Sequence, residues 1–324
     1  MKLIRLAPEN TKFGFMRFRR VSYPFSAIMS IVSVVMFLTV GMNFGIDFSG
    51  GTLIEARANS GTADLGQLRG TVDRLGLGNV EVQGFGNPAD VSIRVRVQPG
   101  GDAAQQAAVD KVKAAIAENY ELRSVEVVGP SVSSELVQSG TLGVCVSIVA
   151  VLTYLWFRFE WQFAVGAVIA TMHDLLLTVG FFSITHLEFN TTSIAAILTI
   201  VGYSLNEAVV VLDRIREMMR KYKNMRAADM IDMSINAVLP RTIMTATTVF
   251  LALASLILFG GQVIRSFSIA MMWGIFVGTY SSVFICSPVL IYLGVRSNAG
   301  AAVSQAAKET APKAPKAPKA RASA

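Results

Sequence analysis

Six apolar stretches, at about 21–42, 138–157, 162–185, 190–212, 241–260 and 266–294, limit what this chain can fold into. Each is long enough to cross a membrane as a helix, which takes about 20 residues for a hydrocarbon layer of about 30 Å. With 52% of its residues hydrophobic, the chain reads as a multi-span membrane protein. The first run follows a basic segment, residues 1–20, carrying Lys2, Arg5, Lys12, Arg17, Arg19 and Arg20. The run is too long for the apolar part of a secretory signal, and no A-x-A cleavage site follows it closely. It is therefore predicted to be an uncleaved first span over 21–43.

Residues 44–136 are polar enough to be soluble. Their periodicity predicts strands at 52–58, 80–85, 91–97 and 125–128, with helices at 64–75 and 103–120. The order βαββαβ predicts a ferredoxin-like α+β sandwich, read as a binding or docking module. The expected architecture is an α-helical polytopic membrane protein with six transmembrane helices. The α+β domain lies between the first and second helices, the other five helices lie within 137–296, and a tail occupies 297–324.

Charge gives the orientation. Arg158 sits between the second and third runs, and Arg216, Arg220, Lys221, Lys223 and Arg226 sit between the fourth and fifth. Arg296, Lys308, Lys313, Lys316, Lys319 and Arg321 follow the sixth, whereas the opposite short loops hold only His186, Glu188 and Arg265. The positive-inside rule predicts both termini in the cytoplasm and an extracytoplasmic α+β domain. The Ala-Pro-Lys repeats of the tail predict disorder. A solvated tail is the plain reading; contact with anionic lipid or ribosomal RNA is the alternative.

The net charge of +7 is no nucleic-acid footprint, because the basic residues are not gathered on a folded face, and no nucleic-acid partner is expected. Cys145 and Cys286 both fall in apolar segments, which suggests neither a disulfide framework nor a metal site. The chain has no GxxxxGK[ST] loop, so ATP hydrolysis is not expected.

Polar residues inside the spans are the candidate site. GYSLNEAVVVLDRIRE, at 202–217, puts Asn206 and Glu207 about one and a half turns before a charged exit. An unpaired charge at that depth costs at least about 2.5–3.5 kcal/mol, so Glu207 needs a partner or must spend time protonated. Arg241, expected to open the fifth span, is the candidate partner; the alternative is an arginine reaching the interface. Arg241, Thr245 and Thr248 recur at helical spacing on one face. Burial favours the neutral form of a carboxyl group and a nearby guanidinium the ionised form, so helix movement between these settings couples proton binding to conformation. His173 and Asp174 fall near mid-membrane in the third span, either as part of the proton site or as a satisfied structural pair. Asp213 and Arg214 are secondary candidates, read first as interfacial anchors. Small residues for helix packing are Gly166, Ala167 and Ala170, then Ala195 and Ala196, then Gly274 and Gly278 at GxxxG spacing.

Taken together, these motifs resemble one family. GIDFSGG at 45–51, with Gly45, Asp47, Gly50 and Gly51, follows the first span, and GPSVSSEL enters the second. With the His173–Asp174 pair, the 202–217 stretch and RTIMTATTVFLALASLILFGG at 241–261, they are similar to the SecF family of SecDF protein-export auxiliaries, within the resistance–nodulation–division superfamily. The resemblance runs from about Phe25 to Val295. It implies a subunit of the cell inner membrane that pairs with SecD and uses the proton motive force to promote translocation and release of unfolded preprotein at the SecYEG translocon. YajC is a further candidate partner. No cofactor is implied beyond H+ as coupling ion, with Na+ left open. The family's intramembrane acid falls on Glu207, where relatives commonly carry Asp, and its arginine falls on Arg241. The extra methylene changes the reach to Arg241.

A stand-alone small-molecule exporter would need a second membrane half and a large cavity. A passive translocon scaffold would gain nothing from an intramembrane acid. Enzymatic catalysis is the weakest reading, since His173 and Asp174 have no nucleophile or metal-ligand set with them.

Overall fold

A computed structural model describes residues 11–78, 80–84 and 86–295. Lys2, Arg5, the expected strand end at Phe85, Arg296 and the tail at 297–324 lie outside the described residues. Six helices are long and apolar enough to cross a membrane: Phe15–Thr39, Pro130–Arg158, Trp161–Thr185, Thr191–Lys221, Ala227–Phe259 and Ile264–Tyr292. The first comprises a short 3-10 turn and α1 (Arg19–Thr39). The others are α5 (Pro130–Arg158), α6 (Trp161–Thr185), α7 (Thr191–Lys221), α8 (Ala227–Phe259) and α9 (Gly261–Ser281), the last continuing through a π-helical turn, Ser282–Cys286, into α10 (Ser287–Tyr292).

Between α1 and α5 come α2 (Ile46–Ser49), β1 (Gly51–Ala58), α3 (Leu65–Asp73), β2 (Val80–Gly84), β3 (Asp90–Val95), α4 (Gly101–Ile116) and β4 (Tyr120–Val128). The strands form an antiparallel sheet in the order β2-β3-β1-β4, as the βαββαβ sequence requires. Alternation explains the layer. Ile54, Ala56, Val82, Val91, Ile93 and Val95 point to one face and bury against Leu68 and Val72 of α3 and Val112 and Ile116 of α4. Asp64 starts α3 by accepting from the backbone of Gly66 and Gln67. β4 is longer than the apolar pattern predicts, because Glu121, Arg123 and Glu126 sit on its exposed edge while its backbone pairs with β1.

In the membrane region α6, α7 and α9 are the inner helices, and α1, α5 and α8 the outer ones. Gly274 and Gly278 let α9 approach α7: a Cβ at Gly274 would overlap Ile200, and one at Gly278 would lie 3.2 Å from Cβ of Ser204. The GxxxG spacing is thus a real helix contact. The π-helical turn at the end of α9 leaves carbonyls that α1 takes up: Ser22 Oγ donates to Phe284 O at 3.3 Å and Tyr23 Oη to Ile285 O at 3.2 Å.

One boundary differs from the expectation. The stretch 214–241 is mostly helix, with only 222–226 between α7 and α8. The charged residues there did not stop the helices because Ile215, Met218, Met230, Ile231 and Ile235 bury together beyond the membrane-spanning turns. Arg241 therefore lies inside α8 rather than at its start, one residue after the internal Pro240.

Candidate functional site

Two buried carboxylates mark the membrane interior. Asp174 sits 13 residues into α6, about 20 Å along the helix from its first residue and so near mid-membrane. It is 1% exposed. Its Oδ2 accepts from Ser204 Oγ of α7 at 2.5 Å and from Ser281 Oγ of α9 at 2.7 Å, while Oδ1 lies 3.0 Å from His173 Nδ1. One side chain thus joins the three inner helices. Hydroxyl donors to a carboxylate are the stronger class of hydrogen bond. His173 packs its ring against Tyr280, with centroids 6.3 Å apart, and its Nε2 is enclosed with no hydrogen-bond partner.

Glu207, on α7 three residues after Ser204, is 4% exposed and accepts a hydrogen bond from Thr242 Oγ1 of α8. The expected partner, Arg241, is exposed and makes no ion pair with it. The reason is angular: successive residues in a helix are turned by about 100°, so the residue facing α7 is Thr242, and its neighbour faces outward. Asn206 is likewise exposed, next to the buried Glu207. The structure therefore brings together His173 with Asp174, and Glu207 with Thr242, and leaves Arg241 and Asn206 on the outer surface of the chain.

Asp213 accepts from Arg158 Nη2 at 2.5 Å, and Arg214 donates to Glu217 Oε2 at 2.6 Å, which ties both secondary candidates into partly exposed pairs at the end of α7. The GIDFSGG motif sits at the other end. Gly50 and Gly51 have φ of +69° and +119°, a turn that L side chains resist, and a Cβ at Gly45 would meet Glu188 Oε1 at 2.6 Å. Asp47 Oδ2 accepts from the backbone of Thr191 at 2.8 Å, capping α7 from a distant part of the chain. Arg94 of β3 adds a bond of 3.0 Å to Glu188 and one of 3.1 Å to the Phe44 carbonyl. Burial pushes the Glu188 carboxyl above the usual carboxylate range, against the pull of Arg94, and Asp47 adds to the rise. The motif thus fixes the α+β domain to the N-terminal end of the helix that carries Glu207.

Thr242, Ser204 and Ser281 were missed by sequence reasoning. Ser204 lies one turn before Glu207 and Thr242 directly after Arg241, so spacing from the acid and a test of both neighbours would have found them. Ser281 carries no comparable signal. Among the described residues no group of three His, Cys, Asp or Glu could hold a metal. The arrangement encloses two carboxyl groups, Asp174 tied by hydroxyls to α7 and α9 and Glu207 tied by one hydroxyl to α8.

Most of the chain is matched by known proteins. Residues 108–296 match the family model for the C-terminal part of the protein export membrane proteins SecD/SecF, and residues 35–61 match the SecD/SecF GG motif. The chain is 45% identical over 291 residues to the protein translocase subunit SecF of Rickettsia rickettsii, covering 89% of this chain and 94% of that one. Against the SecF of Rhodobacter capsulatus it is 42% identical over 311 residues, covering 91% and 93%. Its structure is similar to the crystal structure of SecDF, a translocon-associated membrane protein from Thermus thermophilus, with a TM-score of 0.78 and 31% identity over 89% of this chain. A super-membrane-facing form of SecDF gives 0.66 and 29%. The chain spans 39% of the first of these solved chains and 41% of the second.

Proposed function

The chain belongs to the SecF family of protein-export membrane proteins, and from that membership we propose that it works with a SecD partner to couple the proton motive force to preprotein translocation. As a multi-pass member of that family it has an auxiliary role in protein export. Within our proposal it resides in the cell inner membrane with both termini cytoplasmic, acts beside the SecYEG translocon on unfolded preprotein, and has YajC as a further candidate partner. Its coupling ion is H+.

The observation that carries the reading is Glu207, 4% exposed inside a membrane helix and held by a hydroxyl. A buried carboxylate bound only by a neutral group is costly, and protonation removes that cost. Arg241 supplies the second state. Turning α8 by about 100° exchanges Thr242 for Arg241 opposite Glu207, so an empty carboxylate favours the arginine-facing state and a protonated one the threonine-facing state. Asp174 passes the change to α6, α7 and α9 through Ser204 and Ser281. One charge moving through about 100 mV supplies about 2.3 kcal/mol, and each pH unit about 1.4 kcal/mol, so a few protons suffice for a helix rearrangement. A SecD partner is supported by α7, which turns Ala195, Thr199, Gly202 and Asn206 outward on one face. Small and polar residues at helical spacing suit a second helix better than lipid.

The test is Glu207→Gln. It keeps shape and hydrogen bonding, so the protein should fold and associate with SecD while proton-driven export in inverted membrane vesicles falls to the level without a gradient. Full stimulation by an imposed proton gradient would reject the coupling role.

A further inference from the structure

At the end of the bundle opposite the α+β domain, Arg158, Asp213, Arg216, Glu217, Arg220 and Lys221 line an open cavity of about 460 Å³ between the ends of α5 and α7. Its acids are already engaged: Asp213 with Arg158 at 2.5 Å, and Glu217 with Arg214 at 2.6 Å. Arg216 and Arg220 have no ion pair among the described residues, and they stand four positions apart on one helix face, where like charges repel. The Nε of Arg216 is enclosed and has no hydrogen-bond partner. Lys221 has only the ring of Tyr222, at 5.4 Å. The cavity therefore presents unpaired donors and uncompensated positive charge, the setting for a bidentate guanidinium–phosphate contact.

Depth narrows the source of the anion. About 20 residues of α7 counted from Thr191 fill the hydrocarbon layer, which leaves Asp213 to Lys221 in the headgroup region. Trp156, Phe157 and Trp161 are 69%, 85% and 54% exposed at the same end, on either side of Arg158, as an interfacial aromatic belt. We propose that this cavity binds the phosphodiester headgroup of an anionic phospholipid, with Arg216 and Arg220 as its ligands and Lys221 beside them.

Native mass spectrometry of the full chain, released from micelles doped with phosphatidylglycerol or phosphatidylcholine, tests it. Retained phosphatidylglycerol should exceed phosphatidylcholine, and the preference should fall about fivefold for each cation removed in Arg216→Gln and Arg220→Gln. If the double variant does not yield folded protein, the exposed Arg220→Gln alone decides, with the same fivefold loss expected. Equal retention of both lipids, or an unchanged preference in the variants, overturns the proposal. Inorganic phosphate that displaces the lipid at equal concentration would assign the site to a soluble anion and overturn the lipid source. Loss of bound lipid on addition of SecD would assign the cavity to a protein partner and overturn it as well.

Discussion

Thr242 of α8 donates its hydroxyl to the carboxylate of Glu207 on α7, joining an outer helix to an inner one inside the membrane. Thr242→Val keeps the shape and removes the donor, leaving a buried acceptor unsatisfied at a cost of about 1–3 kcal/mol. Proton-driven export in inverted vesicles should drop about tenfold or more, which corresponds to about 1.4 kcal/mol or more. Thr242→Ser should retain most of the activity. Equal loss in both variants would point to packing rather than to the hydroxyl.

Asp174 receives two hydroxyl donors from different helices, Ser204 and Ser281. Ser281→Ala removes one, and a hydrogen bond to a charged group contributes about 1.5–3 kcal/mol. Thermal unfolding of the detergent-solubilised chain should shift downward accordingly. Asp174→Asn combined with Ser281→Ala should be less than additive, because the two changes act on one contact. A purely additive double variant would mean that Ser281 stabilises the bundle by another route.

How much of this could be read beforehand depended on which physical signal each feature carries. The six spans, the βαββαβ domain and the intramembrane acid at position 207 were legible, because length, period and a charge in an apolar run are local properties. Arg241 shows where local reading stops. Its distance along the sequence from Glu207 is the same as that of Thr242 to within one residue, yet one residue is a 100° turn on a helix. The start of α8 decided the matter, and it was hidden because the charged stretch 214–241 looks like a loop until Met230, Ile231 and Ile235 are seen to bury against Ile215 and Met218. Asp174 was legible as a polar residue at mid-membrane. Its donors Ser204 and Ser281 were not, since serines are common in membrane helices and their meeting depends on how α6, α7 and α9 pack.

The α7–α9 contact should tolerate no side chain at Gly274, where an added Cβ would overlap Ile200. Gly274→Ala forces the helices apart or Ile200 out of its rotamer, an overpacking cost of about 1–3 kcal/mol. Because Ser204 and Ser281 follow this contact by about one and two turns on α7 and α9, the strain should also reduce export. Pairing the change with Ile200→Ala makes room for the methyl group and should recover both stability and activity. If the double variant is no better than Gly274→Ala alone, the close approach is not what limits this position.

Acid sensitivity of the α+β domain follows from Arg57 and Asp90. Arg57 Nε and Nη2 donate to the two carboxylate oxygens at 2.5 and 2.8 Å, and these bonds hold Asp90 below the usual carboxylate range. A carboxyl group with a depressed folded pKa binds fewer protons folded than unfolded, so its stabilisation is present above its unfolded value of about 4 and is lost as pH falls through the folded one. Hydrogen–deuterium exchange of the full chain should show protection of β1 and β3 steady from pH 7 to about 5, then declining below about 4, after correction for the intrinsic pH dependence of exchange. Arg57→Ala should lower the plateau and flatten the acid limb. The change should be small, because Arg57 is 41% exposed and water and salt screen the pair. The same limb in the variant as in the parent would assign the acid sensitivity to another carboxylate.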